Sequence, residues 1–399
     1  MNPIITHFTD NDLYTFSCQY YIMQQYPRAE VEYTFIDRNH TRYPKGFAEL
    51  LKEQAEHMRD VVITDEEIHF MVRRCVWLPL WYFTFLRGYR FNPNEVSISQ
   101  DDEGHLEILI KGKWFSAIMW EMPLLACISE IYHQLNGDGE RYDAERERAK
   151  VAEKAKRIFS SGLVFGDMGT RRRFSFEHQK MVLETMTEVY RSQPWKGVFT
   201  GSSNVYFAMK LGLIPLGTLS HQIISFEEIV SGVFECNYMV MKKFSDVYDG
   251  NNGIYLYDCF GDKLFFNNLS KRMAMMYCGL RVDSGSEEEQ IDKIIEKYKQ
   301  LGIDPKTKQV VFSNGLDVDR CIEIHNYCAG RVQDSYGVGT SLMCDINSVN
   351  PTNIVIKLTK GRITESREWH DCVKLSCDEG KTLGNPVKCN YIQGLIKNG

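Results

Sequence analysis

A surplus of positive charge is missing from this 399-residue chain: 47 lysines and arginines face 53 aspartates and glutamates, for a net charge of −6. That balance removes the general attraction through which nucleic acid or an anionic membrane would bind as a main partner, so neither is expected. Anionic small molecules must then be held by dedicated arginines and backbone amides. A long apolar run is also missing. The richest stretch, Val76 to Leu86, is too short to span a bilayer and carries Pro79, so it is expected to be buried aromatic core. The opening segment MNPIITHFTDND has neither the basic residues nor the apolar run of an export signal. The twelve cysteines show no framework spacing. Cys18, Cys75, Cys127, Cys236 and Cys259 lie in apolar stretches, and the close pair Cys372 and Cys377 matches no zinc pattern. Reduced thiols in a cytoplasmic protein are expected.

What is present is a composition of 43% apolar and 25% charged residues, enough to bury a large core. Apolar spacing predicts a helix over Asn11 to Tyr26, a strand over Glu30 to Ile36, a helix over Lys45 to Arg59 and a strand over His105 to Ile110. Residues 1–140 therefore read as an α+β domain. A charged helix over Tyr142 to Ser160 leads into a second domain, 141–359, and the segment 360–399 is expected to pack on the first. From Gly162 onward, short apolar strands alternate with helical segments: LVFGDMG, GVFTGS, LIPLGT, GIYLYDCFG, LRVDSG, QVVFSNG, RVQDSYGVGTS and NIVIKL. About eight β-then-α units predict a β/α barrel, and strands ending in glycine and polar residues favour it over an open sheet, because barrel chemistry is built at strand C-termini.

Four strand ends concentrate functional residue types. Arg171, Arg172 and Arg173 follow the strand ending in Asp167; adjacent guanidinium groups suit a carboxylate or phosphate, although Arg172 and Arg173 could equally neutralise nearby acids. His221 follows a buried strand through Gly217, Thr218 and Ser220, where an imidazole can act as nucleophile or acid–base group. Arg281 and Asp283 share one strand face and could grip a phosphoribosyl group from both ends, arginine on phosphate and aspartate on hydroxyls. Asn314 and Gly315, and then Gly337, Gly339 and Thr340, form glycine-bearing turns after the late strands, where barrels hold phosphate on backbone amides.

Taken in order, TDNDLYTF, FGDMGTRRRFSFEHQ, GSSNVYFAMKLGLIPLGTLSHQ, LRVDSG, VVFSNGLDVD, YGVGTSL and VKLSCDEGKTLG resemble the nicotinate phosphoribosyltransferase family from about Thr9 to Gly384. The resemblance implies an irregular, incomplete α/β barrel against an N-terminal α+β domain. It also implies a dimer in which Tyr14 reaches the partner's site and stacks on the pyridine. His221 would be the phosphohistidine, formed from ATP as co-substrate; Asp283 would face the ribose and Arg281 the leaving pyrophosphate, with magnesium bridging its oxygens. Met168, Arg171, Ser203, Thr218 and Arg281 match the nicotinate site. Asn314, Gly315, Gly337, Gly339, Thr340 and Lys374, with Lys381 as a further candidate, match the phosphate side. Relatives that use nicotinamide carry aspartate where this chain has Ser203, which favours nicotinate. The chain departs from the family pattern at Met168, where an aromatic is expected, and at Ser220, Asn314 and Cys377. Alternatives are a nicotinamide or quinolinate transferase of the same fold, a phosphate-binding barrel isomerase or aldolase, and a non-enzymatic barrel.

Overall fold

The computed structural model describes residues 1–347, 349–376, 378 and 381–398, so Cys377 lies outside the described residues. The first helix, Leu13–Gln25, and the strand β1, Glu30–Asp37, lie where the apolar spacing places them. So do the helix Phe47–His57 and the charged helix Ala144–Ser160, whose N-terminus Asp143 caps by accepting from the amides of Glu145 and Arg146. β2, Val96–Gln100, and β3, Leu106–Lys113, form a hairpin, and β3 pairs antiparallel with β1.

The second sheet is all parallel. β4 (Val164–Asp167), β5 (Val198–Ser202), β6 (Ile214–Pro215), β7 (Ile254–Leu256), β8 (Gly279–Val282), β9 (Gln309–Phe312) and β10 (Gln333–Val338) lie in the order β6–β5–β4–β10–β9–β8–β7. This is a barrel sequence broken between β6 and β7: a curled half-barrel, as expected. The break has a local cause. Between those strands the chain spends its apolar residues at helical spacing, forming His221–Ser231 and Cys236–Tyr248 in place of a closing strand. NIVIKL, read above as part of the β/α rhythm, departs from it. It belongs to β11, Ile354–Arg362, which pairs antiparallel with β1 in the N-terminal sheet and carries β12, His370–Asp371, on its other edge. Among the described residues between β10 and β11 only the short helix Thr340–Met343 precedes it, without the full crossover that a parallel neighbour of β10 would have. The C-terminal segment thus joins the first sheet from residue 354 rather than 360.

The stretch from Val76 to Leu86 corrects another expectation. Tyr82, Phe83 and Leu86 are buried, but Val76 and Leu80 are more than 70% exposed and Trp81 nearly half exposed. The helical stretch with membrane-like length and composition lies instead at Trp114–Leu135, 94% buried inside the fold, where it forms the core of the N-terminal domain.

The N-terminal segment reaches the barrel directly. Leu13 donates its amide to the Ser203 carbonyl at 2.8 Å, and Val205 and Tyr206 donate theirs to Asn11 and Thr9. Gly217 permits this approach: a Cβ there would stand 2.6 Å from the Tyr14 nitrogen. The first helix is thereby anchored over the C-terminal ends of the strands, where barrel sites are built.

Candidate active site

Each strand of the half-barrel delivers a polar residue at or just past its C-terminal end: Asp167, Ser203, Thr218, Asp258, Asp283, Ser313 and Thr340. Two cavities open among them. The smaller, of about 330 Å³, is lined by Tyr14, Met168, Arg171, Ser203, Thr218 and Arg281, all six residues expected to meet the pyridine. The larger, of about 720 Å³, is lined by His221, Asp283, Gly315, Gly337, Gly339, Thr340 and Lys374. Tyr14, Met168, Arg171 and Arg281 line both and so form the junction. Asn314 is the exception. Its amide donates to Asp378 and its oxygen accepts from Lys381, so the side chain is spent on the C-terminal segment.

At the junction the Tyr14 hydroxyl donates to Glu121 Oε2 at 3.0 Å. Burial and the Glu121 charge hold this phenol protonated. Tyr14 lines both cavities of its own chain. Ser203 Oγ donates to Asp12 Oδ1 at 2.8 Å, and burial raises Asp12 to about 6. Behind it Asp167, raised by burial to about 7, accepts from Ser202 Oγ and the Gly169 amide. These acids are buttresses beneath the smaller cavity. Met168 packs against Gly337, where a Cβ would stand 2.4 Å from its sulfur, so the glycine makes room for the side chain that lines both cavities.

The three arginines separate into different roles. Arg173 is fully buried and binds Asp10 bidentately, at 2.7 and 2.9 Å, which is the neutralising role allowed for it. Arg172 gives Nε to the Ile354 carbonyl and lines the larger cavity. Among the described residues neither Arg171 nor Arg172 pairs with a carboxylate. Burial and the charges of Arg171 and Arg38 bring Arg172 down to about 9; burial and Arg171 bring Lys357, on β11, down to about 8. Arg38 is lowered by the same causes, and its buried Nε has no hydrogen-bond partner among the described residues. Such mutually repelling cations, with Arg171 and Arg172 unpaired with any carboxylate among the described residues, make an anion-binding wall.

His221 opens its helix with Nε2 2.8 Å from Asp258 Oδ1 and 3.9 Å from Asp283 Oδ2. Burial, reinforced by the charge of Lys374, lowers the imidazole to about 4. Burial alone would raise Asp258, but His221, Lys374 at 3.3 Å and Ser284 at 2.7 Å outweigh it and keep the carboxylate ionised. Nε2 therefore carries the proton given to Asp258, and Nδ1 presents a lone pair with no hydrogen-bond partner among the described residues. Asp283, half-buried, is drawn down to about 2 against the desolvation that would raise it, chiefly by Arg281, whose Nη2 lies 3.2 Å away; Ser313 Oγ also donates to it at 2.8 Å. Lys374, expected on the phosphate side, lines the cavity but directs its ammonium at Asp258.

The ligand atoms of His221, Asp258 and Asp283 lie within 4.8 Å of one another. Magnesium prefers oxygen, commonly one or two carboxylates completed by substrate phosphates. Asp258 is saturated by three donors and His221 offers nitrogen, so Asp283 is the carboxylate that fits such a shared ion.

The geometry accords with the comparisons. Residues 163–384 match the model of the nicotinate phosphoribosyltransferase (NAPRTase) family, and residues 9–129 match the model of its N-terminal domain. This chain belongs to that family. A nicotinate phosphoribosyltransferase of Desulforapulum autotrophicum is 36% identical over 99% of this chain and all of its own. One of Methanosarcina mazei is 35% identical over 98% of each. The crystal structure of a nicotinate phosphoribosyltransferase from Porphyromonas gingivalis superposes with a TM-score of 0.94 at 37% identity, covering 99% of this chain and 100% of that one. The Vibrio cholerae structure gives 0.89 at 27% identity, over 99% and 94%. The chain is therefore an enzyme of a transferase family.

Sequence reasoning missed Asp258, Glu121, Asp12, Arg38 and Lys357. Asp258 had a signal, a carboxylate at the end of the strand in GIYLYDCFG. The others come from the N-terminal segment, the start of the helix Glu121–Leu135 or the first sheet and its edge, and only the folded arrangement brings them near the barrel.

Proposed function

We propose that the enzyme transfers the phosphoribosyl group of phosphoribosyl pyrophosphate to nicotinate, giving nicotinate mononucleotide and pyrophosphate, and couples this to ATP through phosphorylation of His221. The observation that carries the reading is the pair of joined cavities, one sized and lined for a flat anionic ring, the other for phosphates. Nicotinate would lie in the smaller, its ring against Tyr14 and Met168 and its carboxylate facing Arg171 and Arg281. As the C1–O bond breaks, positive charge builds on the ribose. Asp283, held ionised by Arg281 and Ser313, is placed to stabilise it. The cationic wall of Arg171, Arg172 and Lys357 would receive phosphate charge. Asp283 is the residue that would hold magnesium, which when bound would supply positive charge against the leaving pyrophosphate.

For coupling, Nδ1 of neutral His221 attacks the terminal phosphorus of ATP: the N–P bond forms as the P–O bond to ADP breaks. Asp258 steadies the imidazolium that results. The phosphoryl charge would tighten the phosphate-binding loops around phosphoribosyl pyrophosphate. We also propose a homodimer, for which the exposed Val76, Leu80 and Trp81 offer an apolar face beside Trp77, which lines the smaller cavity. Sedimentation at micromolar concentration reads the dimer directly.

The deciding assay is formation of nicotinate mononucleotide from nicotinate and phosphoribosyl pyrophosphate, with and without ATP; its absence, with product from nicotinamide or quinolinate instead, would overturn the substrate. Ser203→Asp tests specificity. The new carboxylate would face both Asp12 and the carboxylate of nicotinate, so kcat/KM for nicotinate is expected to fall by about tenfold or more, a cost of roughly 1.4 kcal/mol. An unchanged value would remove Ser203 from the specificity argument.

A further inference from the structure

A thiol on a wall of the larger cavity that the transfer reaction does not use has an imidazole and then a carboxylate in line behind it. Cys344 closes the short helix Thr340–Met343, its amide donating to the Thr340 carbonyl at 2.9 Å, and it lines the cavity beside Asp345 and Ile346. Its sulfur lies 3.4 Å from Nε2 of His133, and Nδ1 of His133 lies 2.8 Å from Oδ2 of Asp138. His133 belongs to the last turn of the helix Glu121–Leu135, and Asp138 to the turn that follows it. All three residues are buried, and the Phe174 ring sits 5.0 Å from the imidazole. Among the described residues, Cys344 is the one cysteine bonded to an imidazole ring.

The order of the three groups sets their chemistry. A carboxylate at Nδ1 accepts a proton there, which leaves the lone pair on Nε2 directed at the thiol. Burial pushes the Cys344 thiol up to about 12 and keeps His133 below its ordinary value, so the resting pair is a neutral S–H donating to a neutral imidazole. The thiol is unreactive alone but has a base in contact and a carboxylate to stabilise the imidazolium once the proton moves.

We propose that Cys344, His133 and Asp138 form a thiol-modification centre that reacts with a low-molecular-weight disulfide entering the cavity, and that the adduct on Cys344 prevents binding of phosphoribosyl pyrophosphate. In the reaction the Cys344 sulfur passes its proton to His133 and attacks one sulfur of the disulfide. The new S–S bond forms as the old one breaks, and the departing thiolate takes the proton from His133 and leaves as a thiol. The adduct projects into the cavity four residues from Thr340, where it competes for space with the phosphates. The inhibitory half of the proposal rests on the substrate reading above; the chemical half does not.

The test treats the full chain with glutathione disulfide at neutral pH and maps adducts by peptide mass spectrometry. Cys344 is expected to react at least about tenfold faster than buried Cys127 and Cys321, and its rate to fall by about tenfold in Asp138→Asn and in His133→Gln. Phosphoribosyl pyrophosphate should slow the modification. Activity should be lost with the adduct and regained with dithiothreitol, and Cys344→Ser should resist the treatment. Reaction at Cys344 no faster than at Cys127, or a rate unchanged in the variants, overturns the centre; should the variants fail to fold, the comparison with Cys127 in the native chain decides it. An adduct that leaves phosphoribosyl pyrophosphate binding intact by calorimetry overturns the inhibition. An untreated enzyme that makes no nicotinate mononucleotide would count against the substrate reading and leave the adduct measurement standing.

Discussion

Replacing His221 by alanine is expected to abolish the stimulation of nicotinate mononucleotide formation by ATP while leaving a slow ATP-independent transfer. The imidazole presents its free Nδ1 beside Asp258, Asp283 and Lys374, and the pairing of Asp283 with Arg281 does not depend on it. Asp258→Asn should give the same pattern in weaker form. An amide in place of the carboxylate can present its NH2 to Nε2, which favours the wrong tautomer and puts the lone pair where the proton should be. ATP stimulation is expected to drop by roughly tenfold or more, with transfer in the absence of ATP changed far less. Steady-state rates with and without ATP, together with retention of radiolabel from the terminal phosphate of ATP, measure both. Full stimulation and full labelling in His221→Ala would place the phosphoryl acceptor elsewhere.

Arg173→Met should cost stability on the scale of about 3–5 kcal/mol, because it leaves Asp10 buried and unpaired. Arg173 is 0% exposed and Asp10 1%. Asp10 also accepts from Asn204 at 2.7 Å, so one carboxylate joins the N-terminal segment to the loops after β4 and β5. Cutting this tie should loosen the segment that carries Tyr14 and raise KM for nicotinate as well as lower the midpoint of urea denaturation. Pairing the change with Asp10→Asn should restore part of the loss, since no uncompensated charge then remains. A single variant within about 0.5 kcal/mol of the native chain would show the pair to be dispensable.

The same bond shows why identical residue types in a row could not be sorted from the sequence. Arg171, Arg172 and Arg173 are chemically alike and adjacent, yet one faces both cavities, one lines a single cavity and one is sealed against Asp10. Their fates follow from the direction each Cα–Cβ bond takes in the turn Thr170–Arg172 after β4, and from an aspartate more than 160 residues earlier. The open gap between β6 and β7 was partly legible, since the intervening residues have helical and not strand periodicity. The place of NIVIKL was not, because an apolar alternating strand has the same appearance in either sheet and only its partner, β1, distinguishes them.

Local rules are sufficient where a residue's role depends on near neighbours. Helical and strand spacing and the polar ends of parallel strands therefore placed His221, Arg281, Asp283 and the glycine turns at the strand ends of a β/α barrel from the sequence alone, and the incompleteness of that barrel came from the family resemblance. Tertiary structure decided the rest. The carboxylate that sets the tautomer of His221, the Glu121 that holds Tyr14, the wall of Arg38 and Lys357, and the alignment of Cys344 with His133 all join residues far apart in the chain. Charge and hydrogen bonding act over a few ångströms of space, and sequence separation carries no record of that distance until the sheets have formed.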